Sequence, residues 1–245
     1  MSQYRQSPFA NLTPVVKNLL IINIIFAIAD LVLRNQFDMQ ANLGIYYFAS
    51  PHFRLWQIIT YMFMHAPILV QPAHLLFNMF ALFMFGPILE YSLGSKKFFN
   101  LYMICGIGAI LLQMVIQAIE IHSLTGSMVL PSPIVEATYY QYGGIQTAQK
   151  IYDIYNIPVV GASGAIFEIL VAFATLYPNM ELLIFFIPVP IKAKYVISAY
   201  VLFEIYSSLH QSQGDDVAHL AHIGGALFGF ILIKIWGNRR SNTFY

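Results

Sequence analysis

The sequence predicts an all-α polytopic membrane protein, a bundle of six transmembrane helices with a first outer loop that dips into the membrane. Three observations carry that expectation. Hydrophobic residues make up 58% of the 245 residues and charged residues only 9%, against about 25% charged in an ordinary soluble domain. Apolar runs of membrane-spanning length recur along the chain. Lys and Arg sort to one side of those runs. Too few charges remain to cover a water-facing surface, and the chain is too hydrophobic to be disordered. Basic and acidic residues nearly cancel, 12 against 11, so no basic bias points to nucleic acid as a partner. The single cysteine, Cys105, excludes an internal disulfide and a thiolate zinc cluster.

A membrane span needs roughly 20 mostly apolar residues. After a short N-terminus (1–14), one membrane domain (15–236) contains candidate spans at 15–33, 73–91, 98–119, 162–177, 194–209 and 217–236, and 237–245 form a tail. The fifth span is the least regular. The run from Leu182 to Leu209 is interrupted by Pro188, Pro190, Lys192 and Lys194, which places the helix over Lys194–Leu209 and leaves Leu182–Ile191 as an interfacial connection. Between the first two spans, the apolar piece Leu55–Met64 is too short to cross and reads as re-entrant or interfacial. Residues 121–160 are rich in Tyr, Pro, Gly and Gln, which fits a lid, an ordered loop or an exposed linker.

Basic residues mark the cytoplasmic side. With the N-terminus inside, Arg5, Lys17, Lys96, Lys97, Lys192, Lys194, Lys234, Arg239 and Arg240 fall inside, while only Arg34, Arg54 and Lys150 fall outside. The expectation is a multi-pass protein of a bacterial inner membrane with both termini cytoplasmic. Ala27-Ile28-Ala29 has the form of a signal cleavage site, but it sits within the first apolar run, which serves equally well as a start-transfer span.

Polar residues within spans are rare and usually functional, and here they gather toward the outer ends of the second, fourth and sixth. His74 and Asn78, four apart, share one helix face. They are either a pair that joins two helices or two donors that converge on a developing oxyanion. Ser163, in Gly161-Ala162-Ser163-Gly164, opens the fourth span. There it serves as a helix cap or as a nucleophile beside the electropositive helix end. His222 has Gly225 and Gly229 on its own face, a small-residue pattern that lets membrane helices approach closely. Such an approach to the fourth span brings His222 beside Ser163, which needs an adjacent base. His219 reads as a cap or pocket-lining residue, and Phe167 as a ring that packs on the imidazole. No Asp or Glu stands in an obvious place to orient the histidine, so a Ser–His dyad is expected rather than a triad.

These residues resemble the rhomboid family of intramembrane serine proteases. The resemblance runs from about Trp56 to Gly229 and rests on Trp56, His74-x-x-x-Asn78, Glu90-x-x-x-Gly94, Gly161-Ala162-Ser163-Gly164 and His222-x-x-Gly225 followed by Gly229. It implies a six-helix core with an active site open to water from the outer side. Ser163 is implied as nucleophile and His222 as general base, with His74, Asn78 and the Ser163 N–H as the oxyanion hole. Gly161, Gly164, Phe167, His219, Gly225, Glu90, His65 and Trp56 are implied to line or support the site, Glu90 by tying down the first loop. The fifth helix and the loop His210–Asp216 are implied as gate and cap. The implied partners are single-span membrane protein substrates and lipid; no metal or cofactor is required.

The chain departs from the family pattern in three ways. Gln57 follows Trp56 where the family usually has Arg, with Arg54 as the nearby guanidinium. Glu168 stands where the family typically has Gly. The segments between His65 and His74 and over 121–160 are extended. These departures motivate one alternative, a catalytically inactive relative that binds membrane helices. A metal or haem protein using His65, His74, His219 and His222, and a transporter built on the break near Pro188 and Pro190, are weaker alternatives.

Overall fold

The computed structural model describes residues 12–130, 140–184, 187–210 and 218–236. The first helix, α1 (Pro14–Leu33), begins with a proline, whose fixed φ suits a first turn and whose missing N–H costs nothing there. Two of its otherwise unpaired N–H groups, those of Val15 and Val16, donate to the Glu90 carboxylate at 3.0 and 2.9 Å. Ser95 Oγ donates to the same carboxylate at 2.6 Å. A negative group at a helix N-terminus satisfies both its free donors and its dipole. Glu90 therefore joins three helices at one end of the bundle. It does not tie down the first outer loop as expected, because it lies at the opposite end of its helix.

The first outer loop holds two short helices, α2 (Met39–Leu43), capped by Asp38, and α3 (Gln57–Thr60). A 3-10 turn at Tyr61–Phe63 follows α3. Tyr61, Met62 and Met64 are almost fully buried, so the piece Leu55–Met64 folds back into the bundle. Tyr61 donates its hydroxyl to the Gly106 carbonyl. Met62 lies so close to Gly106 that a Cβ on that glycine would come within 2.1 Å of its methyl carbon.

The next long helices are α4 (Pro72–Leu93) and α5 (Ser95–Thr125). With α1, these are the described helices that are by themselves long and apolar enough to cross a membrane. The 31 residues of α5 reach about 46 Å, well beyond a hydrocarbon core of about 30 Å. Its surplus outer turns support a small outer layer with α6 (Ile145–Asn156). There Tyr47, Ile121, Leu130, Ile151 and Tyr155 form a second, smaller core, and Lys150 pairs with Glu120. Much of the 121–160 segment is thus ordered and packed.

The fourth apolar run forms α7 (Ser163–Leu176), buried along most of its length. A helix apolar on all sides belongs at the centre of a bundle, and α7 is surrounded by α4, α5, α8 (Ala193–Leu209) and α9 (His219–Ile235). The connection Leu182–Ile191 lies outside the helices. It contains two antiparallel strands, β1 (Glu181–Ile184) and β2 (Ile187–Lys192), with Leu182 opposite Ile191. β-branched residues such as Val189 and Ile191 suit a pleated ribbon better than a helix, and the prolines of this run stop helix formation.

The closest helix contact is between α7 and α9. A Cβ on Gly225 would stand 1.9 Å from the Gly164 carbonyl oxygen, and one on Gly229 would stand 2.8 Å from Glu168 Cγ. Gly225→Ala must push two backbones apart, and neither can yield as a side chain would. We expect it to destabilise the protein by at least about 1–3 kcal/mol, seen as a lower unfolding temperature in detergent. Leu227→Ala, at an exposed position two residues on, should stay within about 0.5 kcal/mol of wild type.

Candidate active site

Ser163 is the first residue of α7, and the cap position belongs to Ala162. The serine hydroxyl is therefore not consumed as the helix cap. The first intrahelical bond runs from the Ile166 N–H to the Ala162 carbonyl at 2.9 Å, so helix geometry leaves the N–H groups of Ser163, Gly164 and Ala165 without an acceptor in the helix. Such a cluster of free donors suits a developing negative charge.

The chain reaches Ser163 through an extended stretch fixed from the first loop. Val159 and Ile45 exchange two backbone hydrogen bonds, at 2.8 and 2.9 Å, and the Gly161 N–H donates to the Tyr61 carbonyl at 3.0 Å. Gly161 has φ +140°, a conformation that side-chain-bearing residues rarely adopt. A Cβ there would lie 3.1 Å from His74 Nε2 and 3.2 Å from Ser163 Oγ. His74 and Ser163 therefore converge on the space that this glycine leaves open.

The His74 ring is held in one tautomer. Its Nδ1 accepts from the Ala66 N–H at 3.3 Å, which leaves the proton on Nε2, the atom facing Ser163. His65 crosses the His74 ring edge to face with centroids 5.4 Å apart. Burial, and then the neighbouring His74, push the His65 pKa down to about 3, so this ring is neutral and packs as an aromatic wall. Asn78 is buried one turn below His74, and its Nδ2 donates back to the His74 carbonyl at 2.7 Å. One amide hydrogen is spent on the helix; the second remains for a ligand.

His222 lies in the first turn of α9. Its ring stacks on Phe167 with centroids 4.6 Å apart and planes 8° from parallel. Its Nδ1 is 2.9 Å from Glu204 Oε2 on α8, and His219 Nδ1 is 2.6 Å from the same oxygen. All three side chains are buried. An ionised carboxylate only accepts, so both histidines carry their proton on Nδ1, and Nε2 of His222 is the atom with a lone pair. This corrects the expectation that no acid orients the histidine. Glu204 was missed because it sits 18 residues from His222, on another helix. The available signal was an acid within an apolar helix, which is expensive unless it is used.

A family model for the Rhomboid domain matches residues 52–239. This chain is a member of the rhomboid family. An uncharacterized mitochondrial rhomboid protein of Schizosaccharomyces pombe is 27% identical over 211 residues, covering 76% of this chain and 53% of that protein. The mitochondrial Rhomboid protein 1 of Saccharomyces cerevisiae is 28% identical over 158 residues, covering 64% of this chain and 36% of that protein. This rhomboid spans about half or less of the length of these curated relatives. It is an integral membrane protein. The relatives are named as mitochondrial, so they lend no support to the bacterial inner membrane expected from the sequence.

Two departures from the family pattern resolve locally. Gln57 is buried; its Oε1 accepts from the Arg54 N–H at 2.9 Å, and its Nε2 reaches the His52 carbonyl at 3.3 Å. The amide thus anchors the loop without a guanidinium. Arg54 instead binds the carbonyls of Pro51 and Phe53 beside it. Glu168 is fully buried and lays its methylenes against Gly229, so the helices still pack tightly there. Trp56 is 55% exposed and bonded to the Asn42 carbonyl at 3.1 Å; it is a surface aromatic of the first loop, not a wall of the site. Of the expected cap loop His210–Asp216, all but His210 lies outside the described residues.

The ligating atoms of Glu204, His219 and His222 lie within 4.8 Å of one another. A metal could draw on this set, but the hydrogen bonds between the three side chains already satisfy them. Gly161→Ala should abolish activity while leaving expression intact. The added methyl would strain the backbone and fill the space between His74 and Ser163. A proteolysis assay alongside a thermal unfolding curve checks both halves.

Proposed function

We propose that this rhomboid is an intramembrane serine endopeptidase that cleaves single-span membrane proteins in or next to their transmembrane segment. The observation that carries the reading is the convergence of Ser163 Oγ and His74 Nε2 on the space left by Gly161. His222 is held across the α7–α9 contact by its stack on Phe167.

In the first step, Ser163 Oγ attacks the scissile carbonyl carbon and its proton passes to His222 Nε2. The carbonyl oxygen takes up the displaced electron pair. It meets the Ser163 N–H and the His74 Nε2–H, with the spare Asn78 amide hydrogen as a third donor. His222 then protonates the leaving amine as the C–N bond breaks, leaving an acyl-enzyme for water to release. The substrate must unwind locally, because a helical peptide bond engages its carbonyl in the i→i−4 ladder. Substrates with Gly or Pro near the cut should therefore be favoured, since both weaken a helix.

The competing reading is a catalytically inactive member that binds membrane helices. A serine-reactive fluorophosphonate separates the two. Wild type should be labelled and should cut a single-span reporter. Ser163→Ala should do neither. Cleavage by Ser163→Ala at the wild-type rate would falsify the assignment. His74→Ala should remain folded and lose roughly 10²–10³ in rate, the usual cost of one oxyanion donor.

A further inference from the structure

We infer that Glu204 is the positioning residue of the His222 base, completing a Ser163–His222–Glu204 triad in which His219 locks the carboxylate. The inference rests on the protease reading above and adds a third group to it.

The packing of α8 singles out this carboxylate. Most of the outer half of α8 faces away from the bundle, with Leu202, Phe203, Tyr206 and Leu209 between 58% and 75% exposed. The buried residues of α8 are Ala193, Ile197 and Glu204. Only Glu204 lies in the outer half, so that half is anchored by an acid where a membrane helix would ordinarily use a small or apolar residue. An acid at that depth is costly unless paired, and this one accepts from two buried imidazoles, at 2.6 and 2.9 Å.

Two contacts then fix separate degrees of freedom of the His222 ring. The Phe167 stack sets its plane, and Tyr200 of α8 backs that phenyl ring at 4.7 Å. The stack leaves rotation within the plane free, and the bond from Nδ1–H to Glu204 Oε2 removes it. The same bond fixes the tautomer, because a proton held on Nδ1 leaves the Nε2 lone pair for Ser163. When Nε2 takes the serine proton, the Nδ1–H stays on its nitrogen and the adjacent carboxylate balances the imidazolium charge. His219 donates to the same oxygen from one turn away on α9 and holds the carboxylate in its rotamer.

A graded series tests the role. Glu204→Gln keeps an acceptor oxygen and removes the charge. Glu204→Leu keeps similar bulk and removes both. We expect kcat to fall by roughly 10⁴ in the Gln variant, the scale seen when an amide replaces the acid of a serine protease triad, and by at least as much in the Leu variant, with KM unchanged. Fluorophosphonate labelling of Ser163 should slow in both variants. A merely structural role predicts another result: both variants would lose thermal stability, and the active fraction that remained would turn over at the wild-type kcat. That result overturns the inference. Ser163→Ala is run in parallel. If it is dead while both Glu204 variants keep the wild-type kcat, only the role of Glu204 falls. If Ser163→Ala still cleaves, the protease reading and this inference fall together.

Discussion

The backbone contact between Gly164 and Gly225 is the constraint on which the site depends. In a membrane there is no hydrophobic force between helices, since lipid is as apolar as leucine. Helices associate through close van der Waals packing, which is strongest where side chains are absent. A Cβ on Gly225 would fall 1.9 Å from the Gly164 carbonyl oxygen, so α7 and α9 meet backbone to backbone. The candidate nucleophile stands one residue before Gly164. The candidate base stands three residues before Gly225, on the same helix face. The packing contact thus sets the two candidate residues at facing ends of the same seam. Further down, Gly229 against Glu168 continues the seam and prevents the two helices from splaying below the site.

Three buried polar side chains each serve more than one partner. Glu90 satisfies the first turn of α1 and Ser95. Buried Gln57 ties three points of the first loop through one amide. Glu204 joins α8 to α9 through two histidines. Each is a side chain whose removal would strand backbone or ring donors in an apolar surrounding, at about 1–3 kcal/mol for each group left unpaired. Not every buried polar group is used in this way: both carboxyl oxygens of Glu168 are buried without a hydrogen-bond partner.

The helical framework was legible because spans are dictated by length and hydropathy. The runs at 15–33 and 194–209 meet α1 (Pro14–Leu33) and α8 (Ala193–Leu209) almost residue for residue. The extra turns of α5 were not legible, because beyond the membrane a helix continues on tertiary packing rather than on hydropathy. The hairpin at 181–192 has no sharp sequence signal, since a short apolar run with β-branched residues reads equally as strand or interfacial segment. Within the site, Ser163, His74 and His222 stood out because each is polar in an apolar run with glycine or a second polar residue at helical spacing. Glu204 has no such companion on α8. Its partners come from another helix, and a spacing argument cannot reach across the fold.

The outer layer explains why a chain of this kind retains a long 121–160 segment. Ser163 must hold a defined position although the residue two places before it has a backbone that most side chains forbid. The stretch leading into Gly161 is not part of any helix and cannot stabilise itself. It is held on one side by Ile45 and Tyr61 of the first loop, and it emerges on the other from α6, which packs on the surplus turns of α5. Ser50 reinforces the joint by donating to the Tyr155 carbonyl at 2.6 Å, and Tyr47 does so by donating to the Met128 carbonyl at 2.8 Å. Three outer segments therefore converge on the few residues before the serine. The glycine-only backbone at Gly161 is fixed by its surroundings, and the extended outer loop supplies part of that surrounding structure.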